Sequence, residues 1–187
     1  MHPAIEKNIA VRILNSMRPD AKGTRIVANP PACKNPVKAI SCKKGITVVT
    51  IQSSRMLNAW GFLNRIFEVF ERYETSVDMV TTSEVSVSVT IDDTHRLGEI
   101  ERALNKFATV TVEHNQAIIC VVGENIRHTP GVGKRIFDAL EKINVRMVSQ
   151  GASRLNLSLV VAQEDAQAAA QALHDDLFQD LDPAVFD

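Results

Sequence analysis

Two stretches of this chain repeat each other at a spacing of about seventy residues, and that spacing limits the fold more than any other feature. Gly61, followed by Arg65-Ile66-Phe67-Glu68, faces Gly131, followed by Arg135-Ile136-Phe137-Asp138. Asp78-Met79-Val80 faces Arg146-Met147-Val148, and Ser86-Val87-Ser88-Val89 faces Asn156-Leu157-Ser158-Leu159. Solenoid units repeat at about 20–50 residues, so this longer period reads as a duplicated domain. Copies of that size are marginal alone and should share an interface.

The pattern inside each copy gives its elements. In the first, residues 48–52 are a strand end, 53–60 a polar loop and 61–72 a helix with Phe62, Leu63, Ile66, Phe67 and Phe70 on one face. Residues 77–82 are a strand and Ser83-Glu84 a tight turn. Residues 85–91 alternate strictly, Val85, Val87, Val89 and Ile91 against Ser86, Ser88 and Thr90, as a half-buried strand does. A helix over 97–107, carrying Leu97, Ile100, Leu104 and Phe107, and a strand over 110–114 complete the copy. The second copy runs in the same order: strand 117–122, loop 123–130, helix 131–143, strands 145–150 and 155–162, helix 165–178. The order βαββαβ predicts two ferredoxin-like units of the α+β class, with helices on one face of an antiparallel sheet.

The second copy ends without its last strand, while a lone strand, 37–42, precedes the first copy and leads into a Lys43-Lys44-Gly45 turn. An open sheet edge is an aggregation liability, so strand 37–42 is predicted to close the second sheet, with the first unit inserted within the second. The domain reading is residues 45–115 for the first unit, 37–43 plus 116–180 for the second, and 1–36 for a preceding segment. That segment holds a short helix from Pro3 to about Lys7, a strand through Ile9, Val11 and Ile13, turn residues up to Gly23, a strand over 24–27 and a proline-rich linker over 29–36. It has too little apolar material for its own core and reads as the tail of something larger.

A net charge of -1, with acidic and basic residues interspersed, excludes recruitment of nucleic acid or an anionic membrane through bulk charge. The strands also lack the stacking aromatics of an RNA-binding sheet. Cys33, Cys42 and Cys120 are isolated thiols suited to a reducing cytosol. No apolar run reaches the ~20 residues of a membrane span, and the N-terminus carries no signal-peptide core. The expectation is a soluble, cytoplasmic protein. The five histidines have no metal spacing, so no metal site is expected. Gly131-Val132-Gly133-Lys134 is not a nucleotide loop, because His128 stands where its first glycine belongs and Arg135 where Ser or Thr belongs.

One constellation carries chemistry. Backbone N–H groups at Gly61, Phe62 and Leu63 begin a helix and face incoming anions, although a helix start alone needs no ligand. Asp78 sits among Val77, Met79 and Val80 in a strand, where a carboxylate needs a partner. That partner is either a ligand ammonium or a basic side chain such as Arg55 or Arg65. Glu84 is either a solvated turn residue or a second carboxylate of the same pocket. Amide donors with two carboxylates suit a diamino acid such as lysine over threonine. The second copy places Arg146 at the counterpart of Asp78, and Gly151, Ala152 and Ser153 at the counterparts of Thr82-Ser83-Glu84, so it is assigned to packing and dimer contacts.

These residues also resemble a known family. The pattern Met56-Leu57, Gly61-Phe62-Leu63, Val77-Asp78, Val80-Thr81-Thr82-Ser83-Glu84-Val85-Ser86-Val87 is similar to the regulatory region of aspartate kinases, nearest the lysine-sensitive type, which carries tandem ACT domains. Gly131-Val132, Phe137, Asn144-Val145, Met147-Val148 and Gly151-Ala152-Ser153 continue the likeness, and His2-Pro3, Ile9-Ala10-Val11, Asn15, Pro19 and Gly23-Thr24 look like the end of the kinase domain. The resemblance implies feedback control by end-product amino acids of ATP-dependent aspartate phosphorylation, with lysine or threonine as effector. It further implies a homodimer through the ACT units and a kinase domain or subunit as partner. ATP and Mg would belong to the full enzyme; no catalytic residue or cofactor is expected in this chain, which reads as a fragment or a regulatory subunit. By position, Met56, Asn58, Ala59, Ser76, Val77, Thr82 and Ser83 join Gly61, Phe62, Leu63, Asp78 and Glu84 in the implied effector shell. Lysine-sensitive relatives often carry His-Ser where this chain has Asn58-Ala59, which removes a serine hydroxyl and leaves backbone contacts. The alternative is a stand-alone ACT sensor of threonine or another amino acid that controls a different enzyme.

Overall fold

The computed structural model describes residues 2–28, 33–56, 60–183 and 185–186. It divides into two compact units, residues 1–35 with 180–187, and residues 36–179. In the smaller unit, helix α1 (His2–Glu6) is followed by a hairpin of β1 (Val11–Ile13) and β2 (Thr24–Ile26), paired Val11 to Ile26 and Ile13 to Thr24. Asn35 and Asp182 tie its two chain segments together: Asp182 N–H donates to Asn35 Oδ1 at 2.9 Å, and Lys34 N–H donates to Asp182 Oδ2 at 3.0 Å. None of its described residues is buried, and Ile13, Leu14 and Met17 are exposed, in keeping with its small apolar content.

The larger unit is built on one six-stranded antiparallel sheet. Its strands are β3 (Val37–Gln52), β4 (Val80–Thr82), β5 (Ser86–Ile91), β6 (Thr109–Gly123), β7 (Met147–Gln150) and β8 (Asn156–Ala162), in the order β4-β5-β3-β6-β8-β7. Two long strands form its spine. The second half of β3 pairs with β5 and with residues 109–113 of β6, which makes the first repeat's sheet; residues 37–44 of β3 pair with residues 117–123 of β6, which makes the second's. Lys43 and Lys44, read from sequence as a turn, therefore lie inside a continuous strand. The physical cause is a bulge: register shifts flank Ile46, and Gly45, at φ 76°, is skipped by the β3–β6 ladder and donates its N–H to Gln163 Oε1 while the strand continues on either side. Asn115, at φ 55°, marks the matching irregularity of β6.

Helices α2 (Phe62–Arg72), α3 (Leu97–Leu104), α4 (Val132–Ala139) and α5 (Ala166–Leu177) provide the apolar cover. In the first repeat Val49, Ile51, Val87, Val89 and Ile91 of the sheet meet Phe62, Ile66, Val69 and Phe70 of α2 and Leu97, Ile100 and Leu104 of α3. Leu157, Leu159, Ile119 and Val121 meet Ile136 and Leu173 in the same way in the second. Each such fully buried side chain contributes about 1.5–3 kcal/mol. Leu63 and Phe67, expected on the buried face of α2, are 41% and 37% exposed, because the helix turns them to its flank.

α2 and α4 each begin after a left-handed glycine, Gly61 at φ 75° and Gly131 at φ 83°. α4 stops at Ala139, short of the expected residue 143, since the chain tightens there into i→i+3 bonds such as Ile143 N–H to Leu140 O at 2.9 Å. α3 likewise ends at Leu104, where Phe107 N–H turns back to Leu104 O.

The helix-free face has its own small apolar cluster where the repeats meet: Val48, Met79, Met147 and Val160, with Ile118 against them. The edge strands β4 and β7 approach each other across it. No helix among the described residues is long and apolar enough to cross a membrane.

Candidate functional site

The first repeat's sheet has two chemically distinct ends. At one, β3 leaves the ladder at Gln52, opposite Ser86, and enters a 3-10 turn, Ser54–Met56. The β4–β5 turn closes there: Ser83 N–H donates to Ser86 O at 2.8 Å, the Ser83 and Ser86 hydroxyls lie 2.7 Å apart, and Ser53 N–H donates to Val85 O at 2.9 Å. Thr82, Ser83 and Glu84 are exposed at this end, and Met56 packs against the first core. Phe62 is buried against Phe107, edge to face, so it offers a ligand its backbone only. Arg65 places its guanidinium over the same Phe107 ring, 4.4 Å from the centroid. Asn58 and Ala59 lie outside the described residues.

Asp78 marks the other end. Its N–H donates to Thr90 O at 3.0 Å, which continues the ladder beyond the short strand β4. Val77 packs into the first core and Ser76 is exposed. The Asp78 carboxylate faces a cavity of about 310 Å³ on the helix-free face, lined also by Ser41, Lys43, Met79, Cys120 and Ser158. None of Gly61, Phe62, Leu63 and Glu84 lines that cavity, so one chain does not assemble the single pocket expected from sequence. Five steps of extended chain separate Asp78 from Ser83, roughly 17 Å at strand rise. A lysine molecule is far shorter.

Asp78 is paired, and its partner is neither Arg55 nor Arg65. Lys43 Nζ lies 2.7 Å from Asp78 Oδ2 and 2.7 Å from Asp92 Oδ2. The hydrogen bond to Asp78, then that to Asp92, raises the Lys43 pKa above its ordinary value. The bond from Lys43 holds the Asp92 carboxyl below the usual carboxylate range. The three side chains are a third to a half exposed, so solvent screens the pairs and each is worth at most about 1 kcal/mol.

Lys43, Asp92 and Glu113 are the functional-looking residues that sequence reasoning passed over. Glu113 pairs with Arg146, the counterpart of Asp78. The repeat itself held the signal, since Glu113 follows Lys43 by seventy positions. A second, more polar cavity of about 570 Å³ lies beside the junction, lined by residues that include Lys44, His114, Gln116, Arg146 and Gln163.

Comparison with known proteins fits this architecture. Residues 49–106 and 119–177 match the family model of the ACT domain. The chain is 38% identical over 190 residues to chloroplastic aspartokinase 3 of Arabidopsis thaliana, covering 96% of this chain and 34% of that protein. Among solved structures, Escherichia coli aspartokinase III in complex with lysine and aspartate superposes with a TM-score of 0.84 at 35% identity, over 95% of this chain and 41% of that one. A candidate C-terminal regulatory domain of aspartate kinase from Porphyromonas gingivalis W83 is 44% identical, with a TM-score of 0.69, over 78% of this chain and 100% of that one. The molecule is thus a tandem of allosteric ACT modules. The chain belongs to the ACT domain family, and its pair of domains matches the C-terminal regulatory region of aspartokinases. It spans about two fifths or less of the length of the full aspartokinases it matches.

Proposed function

We infer that this chain senses lysine for feedback inhibition of ATP-dependent aspartate phosphorylation, acting on an attached or associated kinase domain. The observation that carries the reading is Asp78, a carboxylate at a cavity that already holds an alkylammonium, that of Lys43, at 2.7 Å. The E. coli relative in complex with lysine supports the choice of effector.

The site is completed by a second copy of the chain. β4 is an edge strand with Val80 38% exposed, and Leu63 and Phe67 of α2 are exposed apolar side chains. Antiparallel pairing of two β4 edges about a two-fold axis near Val80-Thr81 sets Asp78 of one copy beside the Ser83-Glu84 turn of the other. The α2 amides and the shell residues Met56, Ser76, Val77 and Thr82 then flank one ligand that no single chain surrounds. The second repeat, with Arg146 where the first has Asp78, packs rather than binds.

Calorimetry with L-lysine and with L-threonine on wild type and Asp78→Asn tests this. Lysine binding that the substitution weakens about ten-fold or more is the expected result. Binding of threonine alone makes threonine the effector, and equal lysine binding by both proteins removes Asp78 from the site.

A further inference from the structure

We propose that Lys43 is an internal occupant of the ammonium seat on Asp78, so that an amino-acid effector takes the seat only by sending Lys43 to Asp92. This rests on the reading of Asp78 as the effector's ammonium partner.

The geometry provides both ends of the exchange. Lys43 Nζ stands 2.7 Å from Oδ2 of Asp78 and lines the same cavity. Asp92 Oδ2, also 2.7 Å from Nζ, keeps the displaced ammonium paired. Lysine suits the task, being a point charge on a flexible four-carbon stem. One ammonium replaces another, so the seat's charge is unchanged and only occupancy competes with the ligand, which lowers apparent affinity by the occupied fraction.

The exchange also crosses the junction. Lys43 lies in the part of β3 that pairs with residues 117–123 and closes the second repeat's sheet, whereas Asp78 and Asp92 flank β4 and β5 of the first. Filling the seat therefore removes one of two bonds that Lys43 makes from the second repeat to the first, and a binding event in one repeat reaches the other through this side chain.

The test is calorimetric titration of L-lysine into the full chain carrying Lys43→Met, Asp92→Asn or Asp78→Asn. Lys43→Met removes the competitor and keeps the stem; lysine should bind about two- to five-fold tighter, the span of a half-exposed ion pair. Asp92→Asn leaves Lys43 wholly to Asp78, and binding should weaken by a similar factor. A purely structural role moves both variants the same way, because each removes a Lys43 bond. Unchanged or weaker binding by Lys43→Met overturns the exchange, with Lys43→Gln standing in should the methionine variant unfold. If Asp78→Asn abolishes binding while Lys43→Met gains none, the exchange alone falls. If Asp78→Asn binds lysine as wild type does, the effector reading falls and the exchange with it.

Discussion

Lys43 and Glu113 occupy equivalent positions of the two repeats, seventy residues apart, and hold ion pairs of opposite polarity. The register shows the equivalence: Lys43 pairs with Ile118 across the spine, and Glu113 with Val48. Each residue sits on the strand that closes the other repeat's sheet and reaches the residue before a methionine, Asp78 before Met79 and Arg146 before Met147. The duplicated backbone is nearly symmetric while its charges are inverted. Only one half presents a carboxylate that a lysine holds.

Asp78→Asn should weaken lysine binding about ten-fold or more, since a charge-assisted bond is worth about 1.5–3 kcal/mol. Glu84→Gln should weaken lysine binding and leave any threonine binding unchanged, because only the diamino acid brings a second ammonium. Arg146→Gln should leave lysine affinity within two-fold or so, as surface substitutions away from a site generally do. Isothermal titration checks all three.

Val80→Lys places a charge at the start of the exposed edge strand β4, a device that blocks strand-to-strand association. Sedimentation velocity should find the wild-type chain dimeric, more so with lysine present, and the variant monomeric. A variant that stays dimeric and binds lysine normally removes β4 from the interface.

Stability should depend weakly on pH through the Lys43 cluster. Asp92 has a lowered pKa in the folded chain, so its contribution is present above the ordinary carboxylate range and fades as pH falls through the folded value. Lys43 has a raised pKa, so its contribution is complete below the ordinary lysine value and fades as pH rises through the folded one. Lys43→Met removes both pairs, so urea unfolding of wild type and variant should differ by a constant, at most about 2 kcal/mol, near neutral pH, with the gap closing in acid and in strong alkali.

Phe70→Ala should cost about 3–5 kcal/mol in urea unfolding, because the ring is 2% exposed and fills the first core. Phe67→Ala, on the flank of the same helix, should cost far less in the monomer. Similar losses at the two positions contradict the observed rotation of α2.

Gly61→Ala should lose about 1–2 kcal/mol, since residue 61 has φ 75° and an added methyl group would meet nothing within 4 Å. The cost is one of backbone conformation alone. Gly61→Asn should recover part of it, because asparagine tolerates the left-handed region better than alanine does.

Periodicity made the architecture legible. Phe62, Ile66 and Phe70 mark α2, and Val87, Val89 and Ile91 mark β5, because burial acts on each side chain separately and leaves its spacing in the sequence. What failed were properties set by bonding between distant segments. Lys43-Lys44-Gly45 has the composition of a turn, yet the partner strand carries the backbone through it. Leu63 and Phe67 look like core residues because sequence shows that a helix is amphipathic but leaves open how its apolar arc divides between core and flank. Asp78 was legible as a residue in need of a partner; which cation answered was not, since Lys43 reaches it from a strand thirty-five positions away.

The two repeats cannot be inherited separately. Each borrows its closing strand from a segment that continues straight into the other, so a gene fission inside β3 or β6 would leave both halves with a raw edge. Transfer of this pair of domains to another chain would have to move the span from Val37 to Leu177 as one cassette. Any later divergence, such as the reversal of charge between the copies, had to occur within a jointly transmitted block.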